Sequence, residues 1–167
     1  EEYLKRIAGI PEENRVYVDE CGINEDIKRE YGRALRGVKV EDTKRGRKFH
    51  RVNVVAAVIH SKNETKKIAP ECYNGSVTGE RFEIWFEANL LKNVETGSTI
   101  IMDRASFHRK KQLERLCEKA KVKLMLLPAY SPDFNPIEKD WANMKRALRD
   151  TAPLWDLLQT AVYDYWS

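Results

Sequence analysis

The sequence predicts one mixed α/β domain, in which a central β-sheet carries α-helices on its faces. Segments typical of strands dominate the first half of the chain, helical and strand-like segments alternate through the middle, and helical patterns fill the end. That order is typical of a layered α/β domain. At 167 residues the chain has the size of one domain with a substantial core. We therefore expect residues 1–167 to form a single unit.

Short runs rich in β-branched and apolar residues predict the strands. The most apolar run, at 50–60, is expected at the centre of the sheet, and the turn SKNE separates it from a hairpin partner. In chain order the predicted strands are RVYVDE (15–20), GRALRGVKV (32–40), HRVNVVAAVIH (50–60), TKKIAPECY (65–73), STIIMD (98–103) and VKLMLLP (122–128).

Apolar residues at helical spacing predict the helices. The first begins after Thr78 or Ser76, either of which is suited to cap it. Further helices are predicted at 109–120, at 137–150 with Pro136 in or near the first turn, and at 153–167. In the 137–150 helix, Trp141 belongs to an apolar stripe, which favours a core position for it over stacking on a nucleic-acid base.

Composition excludes several classes of protein. No apolar run approaches the roughly 20 residues that span a bilayer, and the N-terminal segment lacks the form of a signal peptide. The three cysteines, Cys21, Cys72 and Cys117, are widely spaced and form no CxxC pair. Neither a disulfide framework nor a zinc site is indicated, so we expect a reducing, cytoplasmic location.

Positive charge is concentrated in part of the chain. The net charge is only +4, but residues 28–51 contain ten Lys or Arg against three acidic residues, and 109–123 is a second basic stretch. The last eighteen residues contain three Asp and no Lys or Arg. Such asymmetry fits a protein with one face towards a polyanion. A solvated charged surface explains the same pattern without any ligand.

Three acidic residues occupy places where a side chain would be held firmly at the edge of a sheet. Asp19 ends the apolar run VYV, Asp103 ends the run TIIM, and Glu138 lies in the first turn of a predicted helix. Two neighbouring strand-end aspartates repel each other unless a cation lies between them, and Mg²⁺ or Mn²⁺ prefers such oxygen ligands. Each acid also has a structural alternative, because Asp103 could cap a turn and Glu138 could complement a helix dipole.

The neighbouring acids are predicted to lie away from that site. Pleat alternation places Glu20 on the opposite side of the strand from Asp19, where we expect it to be exposed to solvent. Asp140 lies about 200° around the helix from Glu138. The candidate metal ligands are therefore Asp19, Asp103 and Glu138.

Three segments carry a family resemblance. YVDECG, IIMDRASFH and LLPAYSPDFNPIEKDWANMKR resemble the catalytic blocks of the DDE transposases of the mariner superfamily, in its bacterial insertion-sequence branch. Thirty-four residues separate Asp103 from Glu138, which is the spacing characteristic of that group, and the resemblance runs from Arg15 to Arg149. The SPDFNPIE…W block is its most specific part. Arg104 departs from the family, which often has Asn after the second Asp.

The resemblance implies a ribonuclease H-like fold and a metal-dependent mechanism. Asp19, Asp103 and Glu138 would be catalytic and would hold two Mg²⁺ or Mn²⁺ ions about 3.5–4 Å apart, with Asp19 bridging them. The ions would activate a water, or later a DNA 3′-hydroxyl, for in-line attack on a phosphodiester during cut-and-paste transposition. No Ser or Cys has a His and an acid at recognisable spacing, so covalent catalysis is not expected.

Basic residues around this motif are candidates for DNA contact. The run KRGRKFHR (44–51) would track phosphates without reading sequence. His108 would touch phosphate or orient water, or else is an ordinary histidine at a helix start. Asn135 is expected to fix the loop before Glu138 through a side-chain bond to the backbone. The full set of DNA-contact candidates is Lys44, Arg45, Arg47, Lys48, Arg104, His108 and Lys145.

Three functions compete for this sequence. The first is a transposase catalytic domain that acts on transposon ends and target DNA as a homodimer, in a prokaryotic nucleoid. The second is a related nuclease that cuts without joining, and the third is a non-catalytic DNA-binding module descended from a transposase. Retention of all three carboxylates disfavours the third, and the specificity of the motif disfavours the second.

The family resemblance also implies modules outside this chain. Such transposases carry helix-turn-helix modules before the catalytic domain, whereas only eighteen residues precede Asp19 here. We therefore expect either a truncated form or the second reading frame of a split gene. Alone, this chain is expected to bind DNA weakly and without sequence preference.

Overall fold

A five-stranded mixed sheet organises the computed structural model, which describes residues 2–24, 36, 51–128, 134–151 and 157–167. The strands are β1 (Arg15–Asn24), β2 (Arg51–His60), β3 (Thr65–Asn74), β4 (Thr99–Met102) and β5 (Lys123–Leu126). The helices are α1 (Glu2–Ala8), α2 (Gly79–Trp85), α3 (Lys110–Ala120), α4 (Ile137–Thr151) and α5 (Leu158–Trp166), and a π-helical turn (Phe86–Leu90) continues α2. The predicted mixed α/β architecture is confirmed.

Strand β1 lies at the centre of the sheet, in the order β3-β2-β1-β4-β5. It pairs antiparallel with β2 along nearly its whole length, but parallel with β4 only over Arg15–Tyr17. The prediction that this strand ends near Asp19 is wrong, because residues as far as Asn24 pair with β2. Asp19 therefore lies inside β1, at the point where β1 has passed the end of β4.

The two faces of the sheet are covered by separate cores. Helices α4 and α5 cover one face, where Trp141 is 2% exposed and stacks on Trp166 with ring centroids 4.6 Å apart. The other face is covered by α2, its π-helical turn and α3, through residues such as Phe82 and Leu113. The predicted core position of Trp141 is confirmed. Alternate residues of β1 consequently face different helical layers.

A β-bulge in β3 is tied to α2 by a tryptophan. Between the pairs Val55–Glu71 and Ala57–Ile68, β3 contains one extra residue. Ala69 in this bulge has a φ of 52°, which is a left-handed conformation that costs free energy for any residue with a Cβ. The buried indole Nε1 of Trp85 donates to the Ala69 carbonyl over 2.8 Å, so the bulge has a specific partner in the core.

Helix boundaries follow capping chemistry where the described residues allow a comparison. The Thr78 hydroxyl accepts from the backbone N–H of Arg81, so Thr78 rather than Ser76 caps α2. Lys121 ends α3 in a left-handed conformation, with a φ of 56°. The predicted strand at 32–40 and the first four residues of the predicted helix at 153–167 lie outside the described residues, apart from Arg36. None of the helices described is long and apolar enough to cross a membrane.

Candidate active site

Asp19 and Asp103 lie side by side at one edge of the parallel half of the sheet. Tyr17 of β1 is registered with Ile101 of β4. Continuing that register by two residues brings Asp19 opposite Asp103, which directly follows β4. The parallel register of β1 and β4 thus places the two carboxylates on adjacent backbones.

Glu138 is brought to the same edge by the first turn of α4. The Nδ2 of Asn135, a buried side chain, donates to the Val18 carbonyl over 3.2 Å. The Asn135 carbonyl in turn accepts from the backbone N–H of Glu138 over 3.2 Å. Asn135 therefore makes a side-chain bond to the backbone as predicted, but its partner is β1 rather than the loop before Glu138. This bond fixes the start of α4 beside the residue that precedes Asp19.

The indole of Trp141 contributes a polar contact that its apolar helical stripe does not indicate. Its Nε1 donates to Asp19 Oδ2 over 3.1 Å, while the ring remains in the core. A donor from a buried, stacked ring has little freedom to move. Trp141 therefore fixes the orientation of the Asp19 carboxylate from the core side of the sheet.

Burial and the two neighbouring acids raise the pKa of Asp19. Burial, the nearby charge of Glu138 and the charge of Asp103 raise the pKa of Asp19 from 3.8 to about 7. A backbone hydrogen bond at Glu20 and the Trp141 N–H act in the opposite direction, and burial has the largest effect. Among the residues that the structure describes, no positive charge offsets this rise in the Asp19 pKa.

Three clustered carboxylates match the ligand preference of a hard divalent cation. Such an ion would compensate the repulsion that raises the Asp19 pKa. Within the described ranges, no group of three or more His, Cys, Asp and Glu side chains is already arranged as a metal site. Asp103 and Glu138 are exposed, so a metal ion could reach their carboxylates from solvent. The residues thus fit a metal in chemistry and location.

The Glu20 and His108 side chains are hydrogen-bonded to each other on the other side of β1. His108 Nε2 lies 2.9 Å from Glu20 Oε1. The expected solvent exposure of Glu20 is wrong, because its side chain is only 23% exposed and is held by this pair. The His108 side chain is 6% exposed, which speaks against the predicted contact with a DNA phosphate.

Asp140 is not part of the triad. It is buried and its Oδ2 lies 3.0 Å from His60 Nε2, whose other ring nitrogen contacts Thr65. The predicted separation of Asp140 from Glu138 on α4 agrees with this partner on β2. Asp140 thus contacts β2 rather than the triad.

Comparison with protein families identifies this arrangement. The chain matches the family described as DDE superfamily endonuclease over residues 14–159, which includes all three acids. The chain belongs to this family. No curated protein matches it significantly in sequence.

Solved structures similar to this DDE endonuclease include those of Mos1 transposase. The mariner Mos1 paired-end complex with Mg is 18% identical, with a TM-score of 0.75 over 99% of this chain and 52% of that one. The Mos1 strand transfer complex is 18% identical, with a TM-score of 0.71 over 99% and 50%. The catalytic domain of Mos1 mariner transposase is 14% identical, with a TM-score of 0.58 over 99% and 74%. The predicted ribonuclease H-like fold is confirmed, and the chain spans about half the length of the Mos1 chains in those two complexes.

The DNA-contact candidates of this DDE endonuclease fall into two groups. Lys145 lies on the triad side of the sheet near Cys21, where its charge opposes the rise that burial causes in the pKa of the Cys21 thiol. Arg104 is exposed directly after Asp103. Both remain predictions. The basic candidates Lys44, Arg45, Arg47 and Lys48 lie outside the described residues.

Proposed function

We propose that this chain is the catalytic domain of a mariner-type DNA transposase of the bacterial insertion-sequence branch. It would cut DNA at transposon ends and join the ends to target DNA. The observation that carries the proposal is the placement of Asp19 opposite Asp103 on adjacent strands, with Glu138 at the same edge of the sheet, in a chain of the DDE endonuclease family. Three acids separated by up to 119 positions in sequence have no structural reason to share one site unless they share a ligand.

Two Mg²⁺ or Mn²⁺ ions are the ligands that we assign to Asp19, Asp103 and Glu138. Bound there, they would supply an activated water and stabilise the leaving oxygen of a phosphodiester. The protein's own residues position the carboxylates, with Trp141 acting on Asp19 and Asn135 on the start of α4. The Mg and Mn complexes of Mos1 transposase support this choice of metal.

A homodimer is the assembly that we propose for the complete reaction. Cutting both ends of an element and joining them together requires two active sites acting at once. Mos1 transposase has been crystallised as a paired-end complex and as a strand transfer complex, which supports the same arrangement here. We also propose that the protein acts at the bacterial nucleoid, because its substrate would be chromosomal DNA.

The decisive experiment compares the parent chain with Asp103→Ala on duplex DNA and Mn²⁺ or Mg²⁺. If the metals supply several kcal/mol of transition-state stabilisation, removing one ligand should lower the cleavage rate about 10³-fold. Asp164→Ala is the matched control, because Asp164 is exposed on α5 and outside the triad. Equal cleavage by the parent and Asp103→Ala would exclude the proposed function. A strand-transfer assay on pre-cut ends separates a transposase from a nuclease that only cuts.

Lys145→Ala should weaken DNA binding with little effect on folding. Since Lys145 lies on the triad side of α4, we expect it to contact one phosphate, so its removal should reduce the salt dependence of binding by about one unit of slope. Fluorescence anisotropy with a labelled duplex at several salt concentrations measures this slope. Lys139→Ala, an exposed lysine on a different face of the same helix, is the control. A salt slope unchanged from the parent would place Lys145 off the DNA path.

A further inference from the structure

The turn that carries Asp103 closes on itself and ends at His108. The backbone N–H of Ala105 donates to Asp103 Oδ1 over 3.2 Å. The backbone N–H of His108 donates to the Ala105 carbonyl over 3.0 Å. Residues 103–108 thus form one compact turn between β4 and α3, so anything that fixes His108 also restricts Asp103.

His108 is fixed by aromatic packing and by Glu20. Its ring centroid lies 4.3 Å from that of Phe82 and 4.4 Å from that of Phe107. Its Nε2 donates to Glu20, because a carboxylate oxygen can only accept. The aromatic contacts and the hydrogen bond to Glu20 therefore fix both the position and the orientation of the ring.

The other ring nitrogen of His108 faces the catalytic centre. Nδ1 lies 3.6 Å from Asp103 Oδ1, which is longer than a hydrogen bond. Nδ1 is buried and has no hydrogen-bond partner in the part of the chain that the structure describes. The two nitrogens of one buried ring therefore face two carboxylates, Glu20 on β1 and Asp103 after β4.

A close backbone contact anchors the same turn to α2. A Cβ added at Gly79 would lie 2.5 Å from the Phe107 carbonyl oxygen, closer than Cβ atoms come to other atoms. Only glycine permits this approach at the first residue of α2. The turn is thus fixed by α2 through its backbone and by β1 through the His108 ring.

We propose that His108, oriented by Glu20, is a positioning residue that fixes the Asp103 carboxylate relative to Asp19. The adjacent residues Asp19 and Glu20 of β1 would then set the location of both aspartates, one directly and one through the imidazole. Metal-binding carboxylates are commonly held in place by neighbouring residues, whose loss typically costs 10–100-fold in affinity or activity. This inference rests on the proposed function, because it assigns Asp103 a metal.

The test variant is His108→Phe, which keeps a ring between Phe82 and Phe107 but removes both nitrogens. We expect the variant to fold and to bind duplex DNA with parental affinity. Its kcat for DNA cleavage should fall about 10–100-fold, and its affinity for Mn²⁺, measured by calorimetry without DNA, should fall by a similar factor. A role in packing alone would change thermal stability and leave Mn²⁺ affinity as in the parent.

His60→Phe is the matched control. It removes the same kind of imidazole–carboxylate contact, from His60 to Asp140 over 3.0 Å, at a place outside the triad. We expect it to lower stability and to leave Mn²⁺ affinity unchanged. Parental kcat and parental Mn²⁺ affinity in His108→Phe would overturn the proposal.

Two further variants test the proposal if His108→Phe does not fold. Glu20→Ala removes the group that orients the ring, and Gly79→Ala displaces the turn without altering any hydrogen-bonding side chain. Both should lower Mn²⁺ affinity, and parental affinity in both would overturn the proposal.

The activity of Asp103→Ala distinguishes failure of the positioning role from failure of the proposed function. If Asp103→Ala is inactive while these variants behave like the parent, the positioning role fails and the proposed function stands.

Discussion

Replacement of Asp19 by asparagine is expected to abolish DNA cleavage and, at the same time, to stabilise the metal-free protein at neutral and higher pH. The loss of activity should be about 10³-fold or more, because the variant lacks a proposed metal ligand. The gain in stability follows from the burial and the neighbouring acids that raise the pKa of Asp19 to about 7. Asparagine preserves the shape of the side chain without the unfavourable charge.

The pH dependence of stability has a defined sign. Asp19 titrates at about 7 in the folded protein but near 3.8 when unfolded. Between these values the folded state holds a proton that the unfolded state has lost, so the free energy of unfolding falls as pH rises from about 4 to about 7. Below this window the group has no effect, and above it the penalty is constant at about 4 kcal/mol.

Urea unfolding of the metal-free parent and of Asp19→Asn, measured from pH 4 to pH 8, tests this expectation. The two curves should separate as pH rises, with the variant the more stable. Adding Mn²⁺ at pH 8 should stabilise the parent more than the variant, because only the parent has all three ligands. Asp164→Asn, at an exposed position of α5, controls for a general effect of removing one negative charge. A stability difference that does not depend on pH would contradict the raised pKa.

Trp85→Ala is expected to bring the protein close to unfolding. The Trp85 side chain is 2% exposed, and its truncation should cost about 3–5 kcal/mol through the cavity that it leaves. The Ala69 carbonyl would also lose its donor, at a further cost of about 1–3 kcal/mol. Since domains of this kind are stable by only about 5–15 kcal/mol, the sum removes much of the total.

Guanidinium unfolding measures this loss, with Trp85→Phe as the informative intermediate. Phenylalanine retains most of the buried ring and removes the N–H, so its cost should be about 1–3 kcal/mol. Ile84→Ala, at the adjacent residue, is 61% exposed and should change stability by less than about 0.5 kcal/mol. A variant Trp85→Phe as stable as the parent would show that the bulge at Ala69 does not depend on this bond.

Local sequence patterns account for most of the fold. The bounds of β2 and β3 differ from prediction by one residue, because β2 has a long apolar run and the SKNE turn separates the two strands. The extension of β1 to Asn24 was not predictable in this way, because it depends on pairing with β2, far along the chain. Helix α1 was not predicted either, and its Tyr3 and Ile7 pack on the core only in the folded chain.

The triad was accessible from sequence because its motif combines spacing with residue type. The residues that hold it in place were not. Trp141 occupies an apolar stripe that correctly predicts its burial, but such a stripe carries no information on where an indole N–H points. Glu20 and His108 are separated by 88 positions, and period-two alternation placed Glu20 on the correct face without revealing its partner. Polar contacts between residues far apart in sequence depend on how the helices pack against the sheet. Local sequence patterns do not determine that packing.

The position of Asp19 and Glu20 as neighbours in a central strand has a consequence for how this family can change. Inserting or deleting one residue in β1 upstream of Asp19 would turn both side chains to the wrong helical layers at once. At Tyr17 the strand is registered with β2 on one side and with β4 on the other, so a shift there would disturb both pairings. We therefore expect length variation among relatives to be excluded from 15–20 and to be tolerated in the connections between strands, such as 61–64.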